Sequence, residues 1–496
     1  MREVLEEGRT NTPVAHRSVQ RIALVAAIAL IAFYFATSVF IALRRPFWYD
    51  EVFSALIARL PDWSTMWRAL AAGVDSMPPG FYLLVRLSES ILGPSDFAAR
   101  LPSVLALTVG LVITFDCARR LTDHLHALAA LALLAGSLLP FYGYEARPYS
   151  LYFMFVALGL WLWLNTPDNK LSSLAFGLVA FAAFTIHLYS ALSLVPYLAF
   201  EMVRDRRLRV PSAKLIAGAA GVVAGLVLCS RQVLAFKQLS HQFWALPSFP
   251  ALLHLYDDYF PFVLAILAAA LLLGAWSRER QSTLREPISS GERLGWLFLL
   301  IPVAGYIAAK LVTNAFYNRY FIGMLPGVAV ATACLSQRIF RNRPATAAAV
   351  ILVALVCGVG KQVSSTSHPE TIEPPFPKNA ASRLSHLLSL EPALLQEGKT
   401  EIVLRADDIL GLEARYYSKR PGVYAFLVEP DIEVTGQINQ RLAKFSPMRF
   451  WSMDQLRSHA KEIALVDPSQ KTLDWLNASG LQIKPRSKDI GIYYFY

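Results

Sequence analysis

The sequence predicts a polytopic α-helical membrane protein with a C-terminal α/β domain outside the cytoplasm. Three observations carry that expectation. Apolar runs of membrane length recur from residue 21 to residue 361; basic residues collect in alternate loops between them; and residues 362–496 switch to short β-like runs separated by helical ones. Composition agrees. The 496-residue chain is 55% hydrophobic and 17% charged, with a mean hydropathy of +0.41, where a soluble chain carries more charge and fewer unbroken apolar runs.

The apolar runs divide into eleven spans at 21–43, 97–118, 125–143, 148–165, 171–188, 190–203, 213–230, 259–276, 294–312, 320–337 and 345–361. A run of about 20 residues crosses a ~30 Å hydrocarbon core as a helix. The basic residues then fix the orientation. Arg9, Arg17 and Arg21 precede the first span, and Arg119 and Arg120 follow the second. Lys170 follows the fourth, and Arg204, Arg206, Arg207 and Arg209 follow the sixth. Arg278, Arg280, Arg285 and Arg293 follow the eighth, and Arg338, Arg341 and Arg343 follow the tenth. All these clusters fall on one side, which the positive-inside rule makes cytoplasmic. The net charge of +11 is therefore largely a loop property and does not point to nucleic acid. The first run is too long for a signal-peptide core and lacks a small-residue cleavage site.

Segment 44–96 falls on the opposite side. It is too polar to span and too apolar for a free loop. Phe53, Leu56, Ile57 and Leu60 recur at helical spacing, as do Phe81, Leu84, Val85 and Leu87 after Pro78-Pro79-Gly80. The pattern predicts two amphipathic helices lying in the membrane interface. A span at 80–93 would reverse every later loop and spoil the charge pattern. The tail opens on Ser364-Ser365-Thr366-Ser367 and Pro374-Pro375, a linker composition. Strands are expected at Glu401–Leu404, Val423–Leu427, Ile463–Val466 and Ile492–Phe495, with helices at 380–395 and 453–461. The resulting organisation is a cytoplasmic segment 1–20, a membrane module 21–361 and an extracytoplasmic α/β domain 362–496. The tail shows no phosphate-binding glycine loop, and its expected role is scaffolding or positioning of an acceptor. Cys117, Cys229, Cys334 and Cys357 all lie in apolar runs without metal-ligand spacing and read as small core residues.

Polar groups collect on the non-cytoplasmic side. Asp50 and Glu51 stand in Trp48-Tyr49-Asp50-Glu51, at the lip of the first span. Tyr142, Tyr144, Glu145, Arg147 and Tyr149 come from the turn between the third and fourth spans, His187 and Tyr189 from the end of the fifth, and Tyr317, Asn318, Arg319 and Tyr320 from the start of the tenth. Any one of these alone reads as an interfacial anchor. Ionisable groups from four loops at one depth instead suggest a polar cavity, because each is costly beside lipid unless paired or wet. The types fit a displacement at a sugar carbon. A carboxylate takes the proton of an attacking hydroxyl; arginines fork onto phosphate oxygens; aromatic rings pack on sugar or isoprenoid.

These residues resemble the membrane glycosyltransferases of the GT-C fold, in the bacterial branch of the dolichyl-phosphate-mannose protein mannosyltransferase and lipid A aminoarabinose transferase superfamily. The resemblance rests on Trp48-Tyr49-Asp50-Glu51, Met77-Pro78-Pro79-Gly80-Phe81-Tyr82, Ala99-Arg100-Leu101-Pro102-Ser103, Glu145-Ala146-Arg147-Pro148-Tyr149-Ser150-Leu151, His187-Leu188-Tyr189 and Asn318-Arg319-Tyr320-Phe321 with Leu325-Pro326 behind it. It covers about residues 20–340. It implies an inverting transferase that moves a sugar from a polyprenyl-phosphate donor to an envelope glycan, lipid or protein acceptor on the outer face of the cytoplasmic membrane. Asp50, or failing that Glu51, would be the base. Tyr144, Glu145, Arg147, Tyr149, His187, Tyr189, Arg319 and Tyr320 would bind substrate and donor phosphate. The aminoarabinose branch carries a lysine where this chain has Met77, which shifts the phosphate role onto Arg147 and Arg319. No Asp-X-Asp nucleotide–metal motif stands at an outer site, so no cofactor is expected, with a divalent metal at Asp50 and Glu51 as the alternative. The rival reading is a transporter or flippase of lipid-linked sugars. Such proteins bind near the midplane on broken, repeated helices, whereas these candidates gather at one face without an internal repeat.

Overall fold

A computed structural model describes residues 13–204, 211–238, 245–260, 288–341, 343–367, 380–396, 399–429, 433–487 and 491–495. Residues 261–276 of the eighth expected span, Arg278, Arg280 and Arg285 after it, Arg9, the cluster 206–209 and Pro374-Pro375 lie outside the described residues. The chain forms two compact units. The first gathers residues 1–43, 100–228 and 245–367, and the second gathers 44–99, 229–244 and 368–496.

Among its described residues, the first unit has helices and the turns between them. It contains α1 (Pro13–Arg44), most of α5 (Asp96–Leu121), α6 (His124–Gly136), α7 (Leu139–Tyr142), α8 (Tyr149–Asn165), α9 (Lys170–Ile186), α10 (Val195–Arg204) and most of α11 (Ala213–Lys237). It continues with α12 (Phe249–Tyr259), α13 (Ser290–Leu297), α14 (Leu300–Ala308), α15 (Leu325–Phe340) and α16 (Pro344–Ser367). Among the described residues, six helices are long and apolar enough to cross a membrane: Arg17–Arg44, Asp96–Leu121, Ala213–Lys237, Ser290–Thr313, Asn318–Phe340 and Pro344–Ser367. Four shorter apolar helices, His124–Gly136, Tyr149–Asn165, Lys170–Ile186 and Leu188–Val203, correspond to the remaining described runs. Run 125–143 is interrupted, because Ser137 ends α6 by bonding Leu134 O (2.7 Å) and Pro140 can only restart a helix at its first turn. Ile22, Val25, Ile28, Leu352, Val353 and Val356 are each more than half exposed. Surface of that kind is expected where lipid is the solvent and unexpected in water. Helices approach closely where glycine allows it. A Cβ on Gly221 of α11 would lie 2.2 Å from Gly177 O of α9, the small-residue packing typical of membrane helices.

One expectation at the end of this unit fails. Ser364–Ser367 is not a linker but the last turn of α16. Its hydroxyls find acceptors inside the helix, Ser365 Oγ on Lys361 O (3.2 Å) and Thr366 Oγ1 on Val363 O (2.7 Å), so the polar composition does not break it.

The second unit combines three short helices of the first loop with the tail. They are α2 (Tyr49–Ala58), α3 (Trp63–Ala71) and α4 (Pro79–Leu92). The sequence anticipated α2 and α4. It missed α3, which Asp62 starts by accepting the Thr65 N–H at 2.8 Å. At ~1.5 Å per residue α4 is too short to span. The tail holds α17 (Ala380–Gln396), β1 (Glu401–Arg405), α18 (Ile409–Tyr417), β2 (Tyr424–Leu427), α19 (Val434–Ala443), β3 (Arg449–Trp451), α20 (Met453–Ser458), β4 (Ile463–Val466), α21 (Gln470–Ala478), β5 (Ile483–Ser487) and β6 (Ile492–Phe495). The sheet runs β3-β2-β1-β4-β6-β5, with β1 parallel to β2 and β4, β2 parallel to β3, and β6 antiparallel to its neighbours. Alternation along β1 feeds two cores. Ile402 and Leu404 pack with Leu387, Leu394 and Leu410 on one face, and Val403 packs with Leu456 and Leu476 on the other. The expected α/β tail is present. Strands β3 and β5 escaped the sequence because β3 has three residues and β5 carries Lys484-Pro485-Arg486.

Candidate functional site

In the first unit the turn 143–148 is shaped by serines on either side of it. Ser103 Oγ donates to Arg147 O (2.9 Å) and Ser150 Oγ to Tyr142 O (2.8 Å). Ser103 closes the Ala99–Ser103 motif, so that motif holds the turn from an adjoining helix. The turn delivers Tyr144, Glu145, Arg147 and Tyr149 to the interior, with Glu145 1% and Arg147 4% exposed. The second contribution is His187, the residue at which α9 ends. Its Nδ1 accepts the Tyr189 N–H (3.3 Å), and Tyr189 hydroxyl contacts Thr313 Oγ1 (2.8 Å) and donates to Ala315 O. The third comes from the turn 314–318. Asn314 ends the preceding helix in the left-handed region at φ +52°, a conformation asparagine tolerates. Arg319 N–H then donates to Asn318 Oδ1 (2.7 Å).

These three turns converge on Tyr149. The guanidinium carbons of Arg147 and Arg319 lie 5.9 and 5.6 Å from the centre of its ring. The His187 ring lies 5.6 Å from Tyr149 and 5.6 Å from Tyr320. It also stacks on Tyr152 at 5.1 Å with the planes 2° apart. Tyr189 and Tyr320 are 5.1 Å apart. Of the eight binding candidates in this unit, Arg147, Tyr149, His187, Tyr189, Arg319 and Tyr320 form one aromatic cluster carrying two buried cations, while Tyr144 packs on Phe141 (5.4 Å) and Glu145 is buried on the same turn. Because His187 Nδ1 is an acceptor, the ring proton belongs on Nε2. Nε2 is buried and has no hydrogen-bond partner among the described residues. A buried donor left in that state costs free energy unless something outside the protein accepts it. Tyr152 was missed by sequence reasoning; its position one turn after Tyr149 is the signal that could have found it.

The second unit holds the acid pair. Trp48 precedes α2, Asp50 is its second residue and Glu51 its third. The two side chains do different work. Glu51 is fully buried; its Oε2 accepts from Arg45 Nη2 (3.0 Å) and from the Trp48 N–H (3.4 Å). That second bond is the return arm of a capping box. Asp50 is half-buried, and its carbonyl accepts Ser54 Oγ (2.8 Å). Adjacent helical residues diverge by ~100°, so the two carboxylates face different surroundings. The Met77–Tyr82 motif is organised by Asp75, a buried acid that sequence reasoning passed over. Its carboxylate accepts the Met77 N–H (3.3 Å) and the Tyr82 hydroxyl, while Gln232 at the end of α11 donates to Asp75 O (2.9 Å) and Met77 O (2.6 Å). Gly73 beside it has φ +73°, and a Cβ there would lie 2.6 Å from Arg441 Nη1. Arg441 donates to Ala72 O and Gly73 O at 3.2 Å each. Among the described residues no group of three or more His, Cys, Asp or Glu is placed to hold a metal ion.

The pattern of the family described as dolichyl-phosphate-mannose-protein mannosyltransferase matches residues 76–234. That segment contains Met77–Tyr82, Arg100, Glu145–Tyr149 and His187–Tyr189, while Asp50, Glu51, Arg319 and Tyr320 lie outside it. No curated protein sequence matches the chain. Two solved structures share its fold. One is ArnT from Cupriavidus metallidurans bound to undecaprenyl phosphate, 15% identical over 95% of this chain and 97% of that one, with a TM-score of 0.60. The other is ArnT from the same organism in the apo state, 13% identical over 95% and 98%, with a TM-score of 0.61. At such identities the likeness is one of fold. With the family pattern in its first half and this fold along nearly all its length, the chain has the GT-C fold of the membrane glycosyltransferases.

Proposed function

We propose that the chain is an inverting glycosyltransferase that moves a sugar from a polyprenyl-phosphate donor to a hydroxyl of an envelope glycan, lipid or protein on the extracytoplasmic face of the cytoplasmic membrane. The observation that carries this reading is the cluster around Tyr149. Two guanidiniums and a neutral imidazole donor, His187 Nε2, are buried together there. Such a set suits a phosphate monoanion or diester, which takes forked, charge-assisted hydrogen bonds. Arg147, Arg319 and His187 bind the donor phosphate; Tyr144, Tyr149, Tyr189 and Tyr320 pack against sugar or isoprenoid; Glu145 orients the arginines. Asp50 takes the proton of the acceptor hydroxyl as the oxygen attacks the anomeric carbon from the face opposite the phosphate, which leaves as polyprenyl phosphate. ArnT, which shares the fold, was solved with undecaprenyl phosphate bound, which supports a lipid phosphate as the leaving group. Glu51 caps α2 and is assigned no proton.

The experiment is transfer by the purified protein. Incubation with polyprenyl-phosphate sugars extracted from membranes should release free polyprenyl phosphate and give one glycan product of defined mass. Release with none of the extracted donors overturns the assignment. The side of the membrane is tested separately. Asn477, exposed on α21, replaced by cysteine should react with an impermeant thiol reagent in intact spheroplasts. Labelling only after lysis places the tail, and with it this reading, on the wrong side.

A further inference from the structure

We infer that Glu413 of α18 is a positioning residue for Asp50, holding the start of α2 from the tail. The inference rests on the reading of Asp50 as the base. The first N–H groups of a helix have no partner within it. At the start of α2, Glu51 N and Val52 N turn back to Trp48 O at 2.9 and 3.0 Å. The N–H groups of the three residues that precede Asp50 find acceptors elsewhere. Trp48 N–H uses the Glu51 carboxylate (3.4 Å). The two that flank it both go to α18: Phe47 N–H donates to the Tyr417 hydroxyl, and Tyr49 N–H to the Glu413 carboxyl.

Positions 413 and 417 are one turn apart on one helical face. That face therefore acts as a template for the three residues that precede Asp50. Tyr417 is itself oriented by donating to Asp96 (2.6 Å). The Tyr49 ring is fixed sideways, its hydroxyl donating to Asn439 Oδ1 (3.1 Å), while Asn439 Nδ2 is anchored on Ala406 O (2.8 Å). Nothing in this arrangement requires Glu413 to carry charge. Burial pushes its carboxyl up to about 8; the Tyr49 N–H opposes this, Asp408 and Glu51 push the same way as burial, and Arg383 pulls back. Near neutrality it is an uncharged acid that accepts the N–H through an oxygen. A carbonyl of the same shape would serve as well.

The test is steady-state transfer by full-length variants. Glu413→Ala removes the acceptor, and kcat should fall roughly 10- to 100-fold, the scale of a reacting group displaced by about 1 Å. The donor KM should stay within about twofold. Glu413→Gln keeps the acceptor and should restore kcat to within about threefold of the parent. If the alanine variant does not fold, Glu413→Leu fills the same space without an acceptor and is read in the same way. A parent-like kcat in Ala or Leu overturns the inference, as does a Gln variant no better than Ala. Asp50→Asn is run alongside. Full activity there removes the base, and this inference with it; an inactive Asp50→Asn beside a fully active Glu413→Ala removes this inference alone.

Discussion

The two units present charge in different ways. In the first, Arg147, His187 and Arg319 sit on breaks between helices, each fixed by local bonds such as Ser103 to Arg147 O and Tyr189 to Ala315 O. In the second, Asp50 and Glu51 sit on the first turn of a helix, and residues some 360 positions later hold that turn. The difference follows from the solvent. Backbone in lipid must satisfy itself, so a polar group is cheapest where a helix already ends. A short interfacial helix has open N–H groups that any neighbouring domain can cap. A local mutation should therefore damage the first region residue by residue, whereas damage to the second should travel from the tail.

The sharpest way to break this contrast lies within the acid pair. Asp50→Asn keeps shape but loses basicity, and turnover should fall about 10²- to 10⁴-fold with the melting temperature unchanged. Glu51→Gln should do the reverse in part. It weakens a buried ion pair with Arg45, whose side chain is 1% exposed, and one arm of a cap. Breaking such a pair costs roughly 3–5 kcal/mol, read as a lowered melting temperature, with turnover per folded molecule largely kept. Transfer rates and thermal unfolding measured on both variants decide the matter. A fully active Asp50→Asn beside an inactive, well-folded Glu51→Gln would exchange the two roles.

A smaller effect is expected in the first unit. Lysine at 147 or 319 keeps the charge but loses the planar fork. Donor binding should weaken by roughly 1.5–3 kcal/mol for either change, the scale of a hydrogen bond to a charged group. Titration with polyprenyl phosphate measures it directly. Unchanged affinity in both variants would detach the Tyr149 cluster from the donor phosphate.

How legible each region was follows the same division. The helices of the first unit showed in the sequence because a run such as 97–118 or 213–230 needs no partner to be recognised: length and hydropathy specify it. The convergence of Arg147, His187 and Arg319 was legible because each stands at the end of such a run, and one charge rule orders all the ends. Tail strands with continuous apolar runs, Ile463–Val466 among them, were legible for a similar reason. What stayed hidden was pairwise. Asp75 looks like any loop acid until Tyr82 and Gln232 are placed beside it. Glu413 looks like an ordinary surface residue of an amphipathic helix until its carboxyl is seen on the Tyr49 N–H. Ser364–Ser367 misled because composition reports solvation, while the hydroxyls were satisfied within their own helix.

The smallest expected effect distinguishes the regions by pH. Glu413 is raised from the ordinary carboxyl range to about 8, and burial also raises Asp408 and Asp467 in the same tail. A carboxyl whose folded pKa exceeds its unfolded one, near 4.5 for glutamate, binds more protons folded than unfolded between the two values. Its contribution to stability is complete below about 4.5 and is lost as pH rises through about 8. Glu413→Gln cannot ionise, so the variant should gain on the parent as pH rises. The two should melt at similar temperatures at pH 5, and the variant should melt a few degrees higher at pH 8.5. Tail unfolding followed by fluorescence of Trp451 and Trp475 in the full-length protein reads this difference, in which every other titrating group cancels. A gap between parent and variant that does not widen with pH would mean that Glu413 is already ionised at neutrality. The start of α2 would then be held by a full charge, and glutamine would no longer be its equivalent.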